Sequence, residues 1–376
     1  MASLSLRFAS AALVAFVLAS CASAPAEPRT QAAPVASTTL AVPGETTGTL
    51  AGAPYRLDVP ENWNRELVMY LHGYEPRGSE RVEPMPQNGF DAWLNAQGFA
   101  VAQSAYSSQG WAVAEAIDDN ERLRQHVLSQ LPGVERVWLV GHSMGGHLTL
   151  ATLERHGEHY SGGLSLCGIN APAEEALHHG ALAPLVAFDH FFPEALQLGA
   201  AGLADPAAAP FVPEEVFAAA LAKDAERAQL LGQAFGIRRE DLAGALMLRY
   251  LVLRELIDRA GGFPFDTRDT RYSGLGDDAA FNASVRRYAA DPAAAAYVSA
   301  HAGLRGEPGA MVLLLSNAYD QTVPDPFADR YVALAAAAGR SQQVRALSRQ
   351  GEGHCNFDLD TVAAALGELR GGTSGR

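Results

Sequence analysis

The sequence predicts an α/β fold: a mostly parallel, doubly wound sheet interrupted late in the chain by a block of helices. Three observations predict it. Short, nearly continuous apolar runs, such as Leu67-Val68-Met69-Tyr70-Leu71, Val137-Trp138-Leu139-Val140 and Met311-Val312-Leu313-Leu314-Leu315, suit strands covered on both faces. Helix-compatible stretches alternate with these runs at a pace that implies parallel pairing with right-handed crossovers. From Pro172 to about Glu307 the alternation stops, helical runs take over, and then the sheet signal returns.

With 376 residues, 48% of them hydrophobic, the chain can bury a large core in one domain or in one domain with an insertion. A formal charge of -14 argues against nucleic acid or an anionic lipid surface as partner, since either needs a basic patch. None stands out, and Lys223 is the only lysine.

Residues 1–20 read as an export signal, with Arg7 as the positive start, an apolar stretch from Phe8 to Leu18, and small residues before Cys21. The stretch is too short to span a bilayer, which takes about 20 apolar residues. Leu18-Ala19-Ser20-Cys21 resembles the lipobox of bacterial lipoproteins. That resemblance implies cleavage before Cys21, lipidation of Cys21 and, with Ala22 next, an outer-membrane address; the alternative is an ordinary secretory signal with a coincidental cysteine. Residues 21–45, rich in Ala, Pro, Thr and Ser, cannot bury enough surface to fold and read as a tether.

Leu50 to Val59 and Glu66 to Leu71 read as strands, the second running into His72-Gly73-Tyr74. Phe90 to Gln97 suits a helix, Phe99 to Tyr106 a strand, and Ala112 to Leu131 a long amphipathic helix stopped by Pro132-Gly133. The strand Val137 to Val140 then enters Gly141-His142-Ser143-Met144-Gly145, with a helix from Gly146. Strand, sharp turn and helix make the context of a nucleophile elbow. Glycines two positions either side of the serine are needed because side chains there would strike the neighbouring strand and helix. The N-terminal amides of the following helix point where negative charge develops in acyl transfer, and the N–H of Met144 is one oxyanion donor. Gly163 to Gly168 is another short strand. Pro213 to Leu231 and Arg239 to Arg259 are helical, the latter closed by Gly261-Gly262. Val344 to Leu347 is a last strand, and the helix Asp358 to Leu369 is expected to pack the sheet edge.

Four separated motifs resemble the α/β-hydrolase superfamily: the His72-Gly73 turn, the Gly141 to Gly145 elbow, the turn Tyr319-Asp320-Gln321-Thr322-Val323-Pro324, and Gly353-His354. The resemblance covers residues 46–171 and 308–376 as a catalytic domain, with 172–307 as a helical cap insertion. It implies Ser143 as nucleophile, His354 as the base that takes its proton, and Asp320 as the acid orienting the imidazole, in the chain order Ser, Asp, His. It also implies the N–H of Tyr74 as second oxyanion donor. Asp325 and Asp358 are rival acids. Glu352 is expected to face solvent, and His142 and His147 to be structural. His72 either orients its loop or sits in the core. Trp111, after the fourth strand, is expected in core packing, the alternative being an aromatic near the pocket mouth. The histidine pairs of the cap lack a recognised ligand spacing, so neither metal nor cofactor is expected.

Cys21 would be consumed by a lipid anchor, which leaves Cys167 and Cys355, both expected just beyond strand ends, as a disulfide or as two inert thiols. The functional expectation is a serine hydrolase cleaving carboxylic esters through an acyl-enzyme. Its rivals are a secreted serine peptidase or amidase on the same triad, and a non-catalytic envelope lipoprotein that binds. The expected partner is a small-molecule ester or short peptide, with membrane contact through the lipid anchor alone.

Overall fold

A computed structural model describes residues 43–78, 81–323, 327 and 329–373. The export signal, Cys21, most of the tether and Asp325 lie outside the described residues. Eight strands run in chain order: β1 (Gly44–Leu50), β2 (Ala53–Val59), β3 (Glu66–Leu71), β4 (Ala100–Ser104), β5 (Arg136–His142), β6 (Gly162–Leu166), β7 (Val312–Leu315) and β8 (Val344–Ala346). They form one sheet in the order β1-β2-β4-β3-β5-β6-β7-β8. β2 pairs antiparallel with both β1 and β4, and every later pairing is parallel.

The start of the sheet differs from the sequence expectation. Leu50 to Val59 is not one strand: Ala51 and Gly52, at φ 49 and 89, form the turn of a hairpin whose first arm begins at Gly44, inside the stretch read as tether. β1 is a largely exposed edge strand of Gly, Glu and Thr, so it carries no apolar alternation to announce it.

Three helices accompany the first half of the sheet: α1 (Gly89–Ala96), α2 (Val113–Gln130) and α3 (Met144–His156). Between β6 and β7 the insertion contributes α4 (Ala173–Ala176), a π-helical turn (Leu177–Leu182), α5 (Ala183–Phe191), α6 (Glu214–Leu221), α7 (Ala225–Phe235), α8 (Leu242–Ala260), α9 (Asp278–Ser284) and α10 (Pro292–Ala302). Among the described residues of this insertion there is no strand. The run read from Pro213 to Leu231 is two helices, because Asp224 caps α7 by accepting from the N–H of Arg227 at 3.0 Å. α8 ends at Gly261, whose φ of 73 is the left-handed stop that glycine supplies. α11 (Arg330–Ala337) and α12 (Leu359–Thr373) complete the fold.

Alternate strand residues face two cores. Leu67, Met69 and Leu71 pack with α2, α3, α11 and the insertion, while Val68 and Tyr70 pack with α1 and α12. α12 therefore covers a face and not an edge. Its Val362, Ala365, Leu366 and Leu369, one helical stripe, lie against Trp138, Leu164 and Leu313 of three central strands.

Candidate active site

β5 delivers Ser143 on a turn that only glycine neighbours permit. Ser143 sits at φ 57, ψ −123, a conformation that costs a side-chain-bearing residue energy. A Cβ at Gly141 would lie 2.0 Å from the carbonyl oxygen of Gly145, and one at Gly145 would lie 2.0 Å from that of Leu71. The close packing of strand and helix at these two glycines holds the strained serine up at the start of α3.

Two loops at the same end of the sheet bring the other groups. The loop after β7 and the loop after β8 are stitched by a bridge between Tyr319 and Glu352, with the N–H of Gly353 donating to Tyr319 at 2.9 Å. Buried Asn317 adds three bonds: its amide donates to the carbonyls of Gln350 (3.0 Å) and Asn356 (3.2 Å), and its oxygen accepts the N–H of Cys355 at 3.0 Å. One oxygen of Asp320 accepts from the N–H groups of Thr322 and Val323 at 2.8 and 2.9 Å. The other lies 2.7 Å from Nδ1 of His354, and Nε2 of His354 lies 2.8 Å from Oγ of Ser143. A hydroxyl after β5, a carboxylate after β7 and an imidazole after β8 thus form one continuous chain of hydrogen bonds.

The chain has the α/β-hydrolase fold. Within it the rival acid Asp358 is accounted for otherwise, as the residue that accepts the N–H of Thr361 at the start of α12. Cys167, just past β6, and Cys355, next to His354, are joined by a disulfide across 188 positions of sequence. This is also the only three-residue group of His, Cys, Asp or Glu ligand atoms found together among the described residues, and its sulfurs are bonded to each other.

The main-chain N–H groups of Tyr74 and Met144 have no partner among the described residues, and both residues line the same cavity as Ser143 and His354. Two free amides beside the nucleophile are what an oxyanion hole requires. The turn carrying Tyr74 is held from three sides. His142 accepts the N–H of Gly73 on Nε2 at 3.2 Å, so its Nδ1 carries the proton and donates to the hydroxyl of Tyr70 at 2.9 Å. Burial pushes His142 down to about 4, which keeps it neutral in that arrangement. His72, also buried and pushed down to about 4, donates from Nδ1 to the carbonyl of Gly73 at 2.8 Å and stacks on Tyr106. Glu255 of α8 accepts the hydroxyl of Tyr74 at 2.5 Å and the N–H of Arg77 at 2.7 Å. His142 is therefore structural in a specific sense, as a clamp on the turn carrying Tyr74, and His72 both orients the loop and sits in the core. His147 is buried, donating to the carbonyl of Ile169 at 3.0 Å.

The cavity, about 430 Å³, is lined almost wholly by apolar groups: Trp111, Ile169, Leu177, Met247, Val252 and Phe327 are among them, and no carboxylate is among its described lining residues. Trp111 is packed as expected of a core residue, yet it also forms part of this wall. The insertion grips both triad loops. Arg238 makes a two-pronged ion pair with Glu352 at 2.8 and 2.9 Å, so Glu352 is exposed but not free. Tyr319 donates to Asp241 at 2.6 Å. Sequence reasoning missed Asn317, Glu255 and Arg238, because each acts through a partner distant in the chain.

Scans against protein-family models and curated proteins find no match. Among solved structures the chain is similar to the proline iminopeptidase of Mycobacterium smegmatis, at 14% identity over 88% of this chain and 99% of that one, with a TM-score of 0.42. It is also similar to Est1E from Butyrivibrio proteoclasticus (14% identity, 89% and 100% covered, TM-score 0.42) and to an esterase of Pyrococcus furiosus (12%, 86% and 89%, TM-score 0.44). At these identities the likeness is one of fold alone.

Proposed function

We propose that the protein is a serine hydrolase that cleaves carboxylic esters through an acyl-enzyme. The observation that carries this reading is the unbroken Ser143, His354, Asp320 chain at 2.8 and 2.7 Å, opening beside two unpartnered amides into an apolar cavity. Ser143 attacks the ester carbonyl as Nε2 of His354 removes its proton. The tetrahedral oxyanion is held by the N–H groups of Tyr74 and Met144, and the imidazolium, steadied by Asp320, returns the proton to the departing alcohol. Water then repeats the sequence on the acyl-enzyme.

Ester is favoured over peptide because an exopeptidase needs a carboxylate free to hold a terminal ammonium. The described residues of the cavity wall offer none, and Glu255, the nearby cap carboxylate, is already engaged by Tyr74 and Arg77. A binding-only role gives no reason to keep a strained nucleophile and a complete relay. We further propose that Cys21 anchors the enzyme to the cell envelope, which Cys21→Ala tests by releasing the protein from the membrane fraction.

The test is labelling with a fluorophosphonate probe alongside turnover of 4-nitrophenyl butyrate and an aminoacyl 4-nitroanilide. Ser143→Ala and His354→Ala are expected to lose on the order of 10⁴-fold in turnover. Unlabelled wild-type protein, or a Ser143→Ala variant that still labels, overturns the catalytic reading. Faster anilide than ester cleavage overturns the ester assignment.

A further inference from the structure

Behind the apolar cavity lies a second one of about 420 Å³, and the two share three wall residues: Gly180, Arg249 and Phe327. The second has a different chemical character. Its wall includes His179, Arg249, Arg271 and Glu175. The carboxylate of Glu175 is taken by Arg330, whose Nε lies 2.8 Å from both oxygens. The two arginines, in contrast, have no carboxylate within 4.0 Å among the described residues.

Arg249 is the sharper case. It rises from α8, is 4% exposed, and satisfies its guanidinium with neutral carbonyls alone: Gly180 at 2.7 Å, Ala245 at 2.9 Å and Gln321 at 3.0 Å. Burial pushes Arg249 down to about 10, against the charge of Asp320, which acts the other way. A buried cation that touches no carboxylate among the described residues is expensive, and here the charge that acts on it most is that of Asp320, on the loop whose Gln321 carbonyl it holds. In a chain of formal charge -14, a wall that places Arg249 and Arg271 together, with its one carboxylate among the described residues, Glu175, taken by Arg330, is locally rich in positive charge. Arg271, exposed, adds a second cation with no carboxylate partner among the described residues, and His179, stacked on His178 at 4.8 Å, adds a donor.

We propose that this second cavity receives a carboxylate borne on one arm of the ester substrate, with Arg249 and Arg271 supplying the charge. The natural substrate is then a half-ester or acid-tailed ester: an apolar segment in the first cavity and an anionic end in the second. This rests on the serine-hydrolase reading for the scissile bond, though the binding it describes does not need turnover. Gly180 matters to the junction because a Cβ there would lie 2.9 Å from the ring of Phe327, closing the shared wall.

The experiment compares kcat/KM for 4-nitrophenyl esters of butyrate to octanoate with the mono-4-nitrophenyl esters of the matching dicarboxylic acids. A second series puts the charge on the alcohol arm, as butyryl esters of ω-hydroxy acids against butyryl alkyl esters. A preference for the anionic member of at least one series is expected, and Arg271→Glu is expected to reduce it roughly tenfold, the worth of one charged hydrogen bond. Arg249→Met, checked for folding by its thermal midpoint, is expected to do the same, while Arg268→Gln, whose side chain pairs with Asp266, leaves the preference in place. Calorimetric titration of the Ser143→Ala protein with monomethyl hexanedioate against methyl hexanoate reads the same discrimination without catalysis. Equal handling of charged and neutral members in both series and equal binding of the two methyl esters overturns the proposal, as does a preference that survives Arg271→Glu and Arg249→Met. If neutral esters are hydrolysed with Ser143 dependence while no charge preference exists, this proposal alone falls. If nothing is hydrolysed but the hexanedioate ester binds selectively, the hydrolase reading falls and this one stands.

Discussion

Replacing Cys167 and Cys355 together by alanine tests how firmly the triad histidine is held. The bridge closes a loop of 188 positions, and in the chain-entropy account a closure of that length is worth about 5 kcal/mol against the unfolded chain. Measured bridges give about 2 to 5 kcal/mol, so the unfolding free energy from urea titration should fall within that range. Catalysis should suffer for a separate reason. His354 immediately precedes Cys355, and once the sulfurs are gone the loop depends on the Asn317 bonds and on Gly353 donating to Tyr319. Displacement of a catalytic group by about 1 Å costs roughly a hundredfold in rate. The expected kinetic result is therefore a fall in kcat of about ten- to a hundredfold on 4-nitrophenyl butyrate. KM should change little, because neither cysteine lines the cavity. A double variant that unfolds at the wild-type urea concentration and keeps the wild-type kcat would refute both halves of this reasoning.

Glu255→Ala leaves the Tyr74 hydroxyl and the Arg77 N–H unpaired under the cap, and kcat should drop about tenfold; Glu255→Gln, which can meet both groups with its oxygen and amide, should recover most of it in the same assay. Asp91 is buried with one oxygen unpaired, and burial pushes it up to about 6, so its native form holds a proton more tightly than the unfolded chain does. Stability should rise as pH falls from about 6 toward 4, and Asp91→Asn should gain up to about 3 kcal/mol at pH 7.5 and nothing at pH 4, read by thermal unfolding at the two pH values. Gly146→Ala would put a Cβ 2.6 Å from the Cα of Gly168, backbone against backbone, and should lower the thermal midpoint markedly or abolish soluble expression. Asp320→Ala should lose activity while Asp358→Ala keeps it and shows only a small loss of helix capping in a urea titration; the reverse pattern overturns the acid assignment.

Which features were legible in the sequence follows from how locally each is encoded. β3, β5 and β7 announce themselves because strands buried on both faces must be apolar at every position. The elbow is legible because its constraint is steric and confined to five consecutive residues. β1 was missed because an exposed edge strand has no apolar side to repeat. α12 was placed on the edge because its stripe of Val362, Ala365, Leu366 and Leu369 says that it packs, not against which strands. Asn317, Glu255 and Arg249 could not be found, since a buried polar residue looks the same in a linear text whether it faces a backbone carbonyl, a tyrosine or an empty pocket.

The insertion holds the loops of the candidate site at several points: Arg238 on the loop of His354, Asp241 and Arg249 on the loop of Asp320, and Glu255 on the turn of Tyr74. A chimera that grafts in the corresponding helices of another hydrolase would keep the reacting side chains yet strip out the struts that aim them. Under the proposed function, specificity is thus not a detachable module, and any redesign of what the site accepts has to carry those contacts along.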